Sequence, residues 1–299
     1  MKPMKKLLAA LMTGAMLLSF AACGGNDADS GSEGGSGSFD TTADISVVSR
    51  EDGSGTRGAF IELFGIEEED SSGNKVDNTT DNAIITNKTD VMLANIAGDV
   101  NSIGYVSLGS LNDTVKSVSV DGVEATAENV KTGTYTVSRP FNIATNGQPS
   151  ELASDFISYI LSSEGQAIVD ENGYIAVDDA AAAYAGSTPS GKLVIAGSSS
   201  VSPVMEKLVE AYQAVNANAE IEIQTSDSTA GMTGCLEGTC DIGMASRELK
   251  DSESALTATA IALDGIAVIV NLENPLTDLS KDQVKAVYTG EITTWDGLE

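Results

Sequence analysis

The feature that most constrains this chain is a regular alternation of strand and helix patterns over residues 193–288. Residues 193–196 read as a strand. Val201, Val204, Met205, Leu208, Val209, Tyr212 and Val215 then recur at spacings of three, four, seven and eight, which lines them along one face of a helix. Residues 220–224 alternate polar and apolar as a strand, 229–237 suit a helix, and 241–244 are again a strand. A long apolar strand over 261–270 and a helix over 281–288 follow. Strands separated by helices are joined by crossovers, so the expectation is an α/β chain with a largely parallel sheet.

The first half is less regular. Residues 45–49, 103–106, 115–120 and 139–144 have strand patterns, the last entering a new unit. Helices are expected over 57–64 and 91–97, and Leu152, Phe156, Tyr159 and Ile160 share one helical face. The acidic and polar stretch 67–82 reads as loop, and the alanine- and glycine-rich stretch 178–191 as a linker.

Three loops repeat one design, in which a strand ends, small hydroxyl or glycine residues follow, and a helix begins. They are Gly197-Ser198-Ser199-Ser200, Ser226-Asp227-Ser228-Thr229-Ala230-Gly231 and Asp52-Gly53-Ser54-Gly55-Thr56. A helix N-terminus carries unpaired N–H groups and about half a positive charge. Glycine and serine let an anion approach those N–H groups, and hydroxyls add donors. Any one such loop is equally a good N-cap. Three of them, one preceded by Arg50, suggest an oxyanion site.

The formal charge is −28, from 44 acidic and 16 basic residues, which argues against nucleic acid and anionic membrane surfaces as partners. Dipoles acting at a few ångströms in a desolvated cleft outweigh a diffuse negative surface that salt screens within about 8 Å. The charge therefore lowers association rate more than affinity. There is no histidine, which removes the commonest general base and the commonest transition-metal ligand. No Gly-x-Ser-x-Gly elbow and no P-loop lysine is present either. A binding protein without cofactor or metal is expected, not an enzyme.

Residues 1–22 have the layout of a signal peptide. Lys2, Lys5 and Lys6 precede an apolar run from Leu7 to Phe20, and Ala21-Ala22 leads into Cys23. That run is short for a membrane-spanning helix. A cysteine after two alanines resembles a bacterial lipobox with Cys23 acylated, although Phe20 stands where leucine is usual. An ordinary secretory signal with an incidental cysteine is the alternative. The expected location is the outer face of the cell membrane, with contact to the bilayer through the lipid anchor alone. Residues 23–39, rich in Gly and Ser, read as a flexible tether. The remaining two cysteines, Cys235 and Cys240, are candidates for a disulfide in an exported protein, with two buried free thiols as the alternative.

Three runs carry a family resemblance: Val194-Ile195-Ala196-Gly197-Ser198-Ser199-Ser200-Val201-Ser202-Pro203, Asp241-Ile242-Gly243-Met244-Ala245-Ser246-Arg247-Glu248-Leu249 and Val47-Val48-Ser49-Arg50-Glu51-Asp52-Gly53-Ser54-Gly55-Thr56. They resemble those of the phosphate-binding proteins of ABC transporters, as does Gly290-Glu291-Ile292-Thr293-Thr294-Trp295. The resemblance implies a two-lobed periplasmic-binding-protein-like (type II) α/β fold with the ligand cleft between the lobes. It also implies a monomer that binds inorganic phosphate and hands it to the membrane subunits of an ABC permease.

In the family the Gly-Ser-Ser-Ser loop comes early and the Asp-Gly-Ser-Gly-Thr loop follows the tryptophan signature; here the second half comes first. The expectation is a circular permutant, with a truncated tandem duplication as the alternative. One lobe would be residues 138–262, including linker 178–191; the other would be split into 40–137 and 263–299. Carried over residue by residue, the resemblance implies Ser199, Ser200, Ser228, Arg50, Ser54, Gly55 and Thr56 as phosphate ligands, with Ser198 and Thr229 as further candidates. It implies Asp52 as the residue orienting the arginine. Where some members place an aspartate to accept the phosphate's proton, this chain has Ser246, a hydroxyl that both donates and accepts. Arg247 is either a second ligand cation or a solvent-facing charge. Sulfate, molybdate or tungstate binding, and a phosphate-sensing surface lipoprotein that does not transport, are the rival readings.

Overall fold

The computed structural model describes residues 39–298; the signal peptide, Cys23 and the tether up to Ser38 lie outside the described residues. Strand β1 (Ser46–Arg50) leads into α1 (Gly55–Leu63), and a small hairpin of β2 (Glu67–Glu69) and β3 (Lys75–Asp77) follows. Next come β4 (Ile84–Thr86), α2 (Thr89–Gly98), β5 (Ser102–Ser107), β6 (Lys116–Val120) and α3 (Ala127–Lys131). β7 (Ser138–Asn146) begins the middle portion, followed by α4 (Glu151–Ile160) and α5 (Ser163–Glu171). Then β8 (Gly191–Ser198), α6 (Ser202–Val215), β9 (Ala219–Ser226), α7 (Ser228–Glu237) and β10 (Ile242–Ala245) alternate. β11 (Leu256–Val270), β12 (Asp278–Leu279) and α8 (Lys281–Thr289) complete the order.

The main sheet runs β4-β1-β5-β11-β7-β10-β8-β9, with β6 joined to β11 and β12 to β6. Its two flanks are parallel, as the alternation requires: β1 pairs in parallel with β4 and β5, and β8 with β9 and β10. The centre is not. β11 is antiparallel to β5, β6 and β7, and β7 to β10, so the sheet is mixed where a largely parallel one was expected. β7 and β11 are long strands passing from one half of the sheet to the other, and two such passes in opposite directions must lie antiparallel.

Buried side chains gather in two large clusters. One contains Val47, Phe60, Ile96, Tyr105, Val137, Ile266 to Val270 and Tyr288. The other contains Phe141, Phe156, Ile195, Leu208, Tyr212, Met244 and Ala262. The α4 face read from the sequence is buried in the second, each large side chain contributing about 1.5–3 kcal/mol of hydrophobic stabilisation. Ile175, inside the stretch 138–262, packs with the first cluster. The stretch 67–82, expected as loop, holds the β2–β3 hairpin. Its turn closes because the Asp70 carboxylate accepts from the N–H groups of Ser72 and Asn74 at 2.8 and 2.9 Å. Between Asp178 and Ser190 there is no regular structure, but the segment is strapped down. Asp155 accepts from Tyr184 Oη at 2.5 Å and from Ser187 N–H at 2.9 Å, and Ser163 N–H donates to Ala182 O at 2.9 Å. No helix among the described residues is long and apolar enough to cross a membrane.

Candidate functional site

Four helix starts meet in one buried cluster, at the boundary between the two hydrophobic clusters. After β1 the chain turns, with Ser54 N–H donating to Glu51 O at 2.9 Å. Ser54 then caps α1 by accepting from Arg57 N–H at 3.3 Å. Asp227 caps α7 by accepting from Ala230 N–H at 2.8 Å. Ser199 and Ser200 lead from β8 toward α6, and Thr89 opens α2 with no side-chain cap.

Thr56 Oγ1 lies 2.8 Å from Ser200 Oγ and 3.2 Å from Ser246 Oγ, so α1 touches the loops after β8 and β10. Ser198 Oγ donates to Ser246 Oγ at 3.0 Å, and Ser246 N–H donates to Ser228 Oγ at 3.1 Å. Thr89 Oγ1 is 3.3 Å from Ser199 Oγ and 3.4 Å from Ser200 Oγ. Arg50 Nη2 donates to Ser199 Oγ at 3.1 Å. Thr229 N–H donates to Gly53 O at 3.1 Å, a main-chain bond across the same gap. Arg50, Ser54, Thr56, Thr89, Ser198, Ser199, Ser200, Ser228 and Ser246 are all buried, while Thr229 is half-buried. The glycines are needed for this approach. A Cβ on Gly53 would meet Asp227 Oδ1 at 2.3 Å, and one on Gly55 would meet Ser228 Oγ at 2.4 Å.

The residues expected from sequence as phosphate ligands therefore lie in or beside one cluster, but the structure revises the readings of Asp52, Arg247 and the two cysteines. Asp52 does not orient Arg50. The turn at residues 51–54 ends the strand alternation, leaving the Asp52 side chain 97% exposed and paired with Arg57 Nη1 at 3.0 Å. Glu51 orients Arg50 instead, accepting from Nε and Nη2 at 2.8 Å each. Arg247 is not solvent-facing. It is buried, with both Glu253 oxygens 2.8 Å from its guanidinium and Thr229 Oγ1 at 3.2 Å. Burial works against the Glu253 carboxylate, but the bonds from Arg247 and from Lys250 N–H outweigh it and hold the carboxyl below its usual range. Cys235 and Cys240 are free buried thiols, not a disulfide. A left-handed turn at Gly238 (φ 73°) reverses the chain between them, and each thiol faces a main-chain carbonyl, Ala144 O at 3.3 Å and Gly231 O at 3.8 Å.

Sequence reasoning missed Thr89, Glu51 and Arg139. Thr89 carried a signal, a hydroxyl at a helix start like the other three. Arg139 Nη2 donates to Thr56 Oγ1 at 3.2 Å, and its Nη1 donates to Asp264 Oδ2 at 2.5 Å. Its signal was a lone aspartate within the apolar run 261–270, which needs a buried cationic partner. Burial pushes the Asp264 carboxyl up against the pull of that guanidinium. Behind Arg50, Tyr105 Oη accepts from Arg50 N–H at 3.2 Å and lies 2.9 Å from Ser49 Oγ. Burial pushes this phenol up to about 12, so it stays protonated.

The arrangement is a shell of hydroxyls, helix-terminal N–H groups and guanidinium donors, and the carboxylates nearest it, Glu51 and Asp264, are each held by an arginine. Such a shell suits a desolvated tetrahedral oxyanion. Among the described residues no group of three or more His, Cys, Asp or Glu is placed to hold a metal ion.

Comparison with known proteins agrees with this geometry. The chain matches the PBP superfamily domain over residues 35–164 and 182–297. It is 52% identical to phosphate-binding protein PstS 2 of Streptococcus agalactiae, over 100% of this chain and 99% of that protein. The chain belongs to the PstS phosphate-binding proteins. A crystal structure of a phosphate ABC transporter phosphate-binding protein from Streptococcus pneumoniae TIGR4 matches with a TM-score of 0.69 and 46% identity, covering 86% of this chain and 100% of that one. The periplasmic-binding-protein-like α/β fold expected from the sequence is thus the fold of this PstS chain. The PstS of Bacillus subtilis matches a shorter stretch, 33% identical over 36% of this chain and 38% of that protein.

Proposed function

We propose that this protein binds inorganic phosphate between its two lobes and delivers it to an ABC-type phosphate importer. The observation that carries the reading is the convergence of four helix starts, eight buried hydroxyls and Arg50 in one cluster, with contributions from elements packed in both hydrophobic clusters. Its membership among PstS proteins supports the same ligand. The ligand set is Arg50, Ser54, Gly55, Thr56, Thr89, Ser199, Ser200, Ser228 and Ser246, with Ser198 supporting Ser246. Donors fixed before binding lose little entropy on meeting the anion, which favours tight binding over turnover.

Calorimetric titration with phosphate and then sulfate tests this. Phosphate heat is expected, and Thr56→Asp, which places a carboxylate at the anion, should abolish it. Heat from sulfate alone would make the protein a binder of another oxyanion. Heat from neither would remove the transport reading and favour a repurposed surface lipoprotein. Export and anchoring rest on residues 1–23, and palmitate labelling of Cys23 in cells tests them.

The same proposal includes the permuted order, with lobes of 138–262 and of 40–137 plus 263–299. Segments 39–45 and 293–298 lie side by side: Ile45 N–H donates to Thr293 O at 2.7 Å, and the Phe39 and Trp295 rings are 5.6 Å apart. Neighbouring ends of this kind let a chain be reordered without altering its packing. The S. agalactiae relative aligns end to end, so it shares this order. The short B. subtilis match is what an order-preserving alignment across a permutation leaves. A chain rejoined between residues 298 and 39 and opened within 178–190 should still bind phosphate; failure to fold would count against the permutation.

A further inference from the structure

The strands that pass between the two hydrophobic clusters, β7 and β11, each contain one ionisable residue, Arg139 and Asp264. Both sit at the crossing. Val137 belongs to the first cluster and Phe141 to the second; Ala262 belongs to the second and Ile266 to the first. Arg139 and Asp264 are direct cross-strand partners in the β7–β11 ladder. Their side chains are 3% and 0% exposed, and Arg139 Nη1 also donates to the carbonyls of Asp264 and Gly265 at 3.2 and 2.8 Å. Gly109 N–H donates to the carboxylate from the far side at 3.3 Å.

Stability does not account for this pair. Desolvating two charges commonly costs as much as their attraction returns, and a well-packed apolar pair is often as stable or more so. The cost is greater here because Arg139 Nε is buried with no partner among the described residues. What distinguishes Arg139 is its second nitrogen, which turns away from Asp264 and donates to Thr56 Oγ1 at 3.2 Å. A threonine hydroxyl has one proton and two lone pairs. In the hydroxyl cluster its role would otherwise be ambiguous, since Ser200 and Ser246 can each donate to it or accept from it. A guanidinium only donates. With Arg139 occupying a lone pair, the Thr56 proton is directed to the opposite side, toward the cluster.

We propose that Arg139 is a positioning residue for the anion: it commits the Thr56 hydroxyl to donate, and Asp264 holds its guanidinium at the crossing between the lobes. This rests on the oxyanion-binding function proposed above. Arg139 need not touch the anion; its effect passes through Thr56. The arrangement also ties one ligand hydroxyl to the two strands about which the lobes would pivot.

The test is a double-mutant cycle on phosphate affinity, measured calorimetrically with the full chain. The first change is Arg139→Met with Asp264→Leu, which replaces the buried pair by apolar side chains and is expected to melt no lower than wild type. The second is Thr56→Val, which removes the hydroxyl at constant shape. The pair replacement should weaken phosphate binding about tenfold in the Thr56 chain, the loss of one charge-assisted positioning bond. In the Thr56→Val chain it should change affinity less than about twofold, because coupled residues are not additive. Equal losses in both backgrounds would mean a merely structural role and overturn the inference, as would wild-type affinity in the replaced chain. Should that chain fail to fold, Arg139→Lys takes its place, since it keeps the charge opposite Asp264 and loses the forked donor; the same criteria apply. A wild-type chain that takes up no phosphate would overturn the function itself, whereas a binding wild type with additive variants overturns only the role of Arg139.

Discussion

Replacing Gly55 by alanine should separate binding from stability. Gly55 is the first residue of α1 and does not have a positive φ, so its backbone accepts alanine, and alanine favours a helix by about 1 kcal/mol over glycine. The obstacle is across the cleft. The new Cβ would lie 2.4 Å from Ser228 Oγ, 2.8 Å from Ser246 Oγ and 3.0 Å from Arg247 Cγ, where ordinary contact begins at 3.4 Å. All three neighbours are buried, and Arg247 is clamped by Glu253, so the two loops must part by about 1 Å. Thr56, one residue on, would move from 2.8 and 3.2 Å to beyond hydrogen-bond reach of Ser200 and Ser246. An anion held by both loops then loses about two bonds of about 1.5 kcal/mol each, or about 100-fold in affinity. Titration calorimetry at fixed salt reads the affinity, and a melt without added phosphate reads the stability. Wild-type affinity in Gly55→Ala would refute the argument, because residues 52–56 and 226–229 would then not close on one anion.

Other outcomes follow from the same contacts. Glu51→Gln should weaken phosphate binding about tenfold by loosening Arg50, whereas Asp52→Asn should change it less than about twofold; the reverse order would restore Asp52 as the orienting residue. Burial raises the Asp155 carboxyl, but the hydroxyls of Tyr184 and Tyr212 and the Ser187 N–H outweigh it and leave it below the ordinary 3.8. A depressed carboxylate stabilises the fold above its unfolded pKa and loses that contribution as pH falls through the folded one. The stability advantage of wild type over Asp155→Asn in urea melts should therefore shrink below about pH 3.8, and a constant difference from about pH 6 to about pH 3 would refute it. In protein unfolded without reductant, Cys235 and Cys240 should both react with iodoacetamide, and a linked Cys235–Cys240 peptide would contradict the free thiols.

The sequence determined the local units. The spacing of Val204, Leu208 and Tyr212 made α6 amphipathic wherever it packed, and Gly-Ser-Ser-Ser before it could only be a turn that offers donors at a helix start. Arg50 followed by a glycine and hydroxyl loop likewise marked a candidate anion contact before any partner was known. Periodicity reports which face of a segment is apolar, and these are properties of a few consecutive residues. It does not report which distant segment lies opposite. Tertiary structure alone decided that β7 and β11 cross antiparallel, because strand direction depends on the path of the whole chain. It also decided that Arg247 is buried against Glu253 and not left to solvent, and that Glu51 serves Arg50 while Asp52 turns outward. Finally, it set Arg139 and Asp264, 125 residues apart, against each other behind Thr56, because a buried charge finds its partner in space and not in sequence.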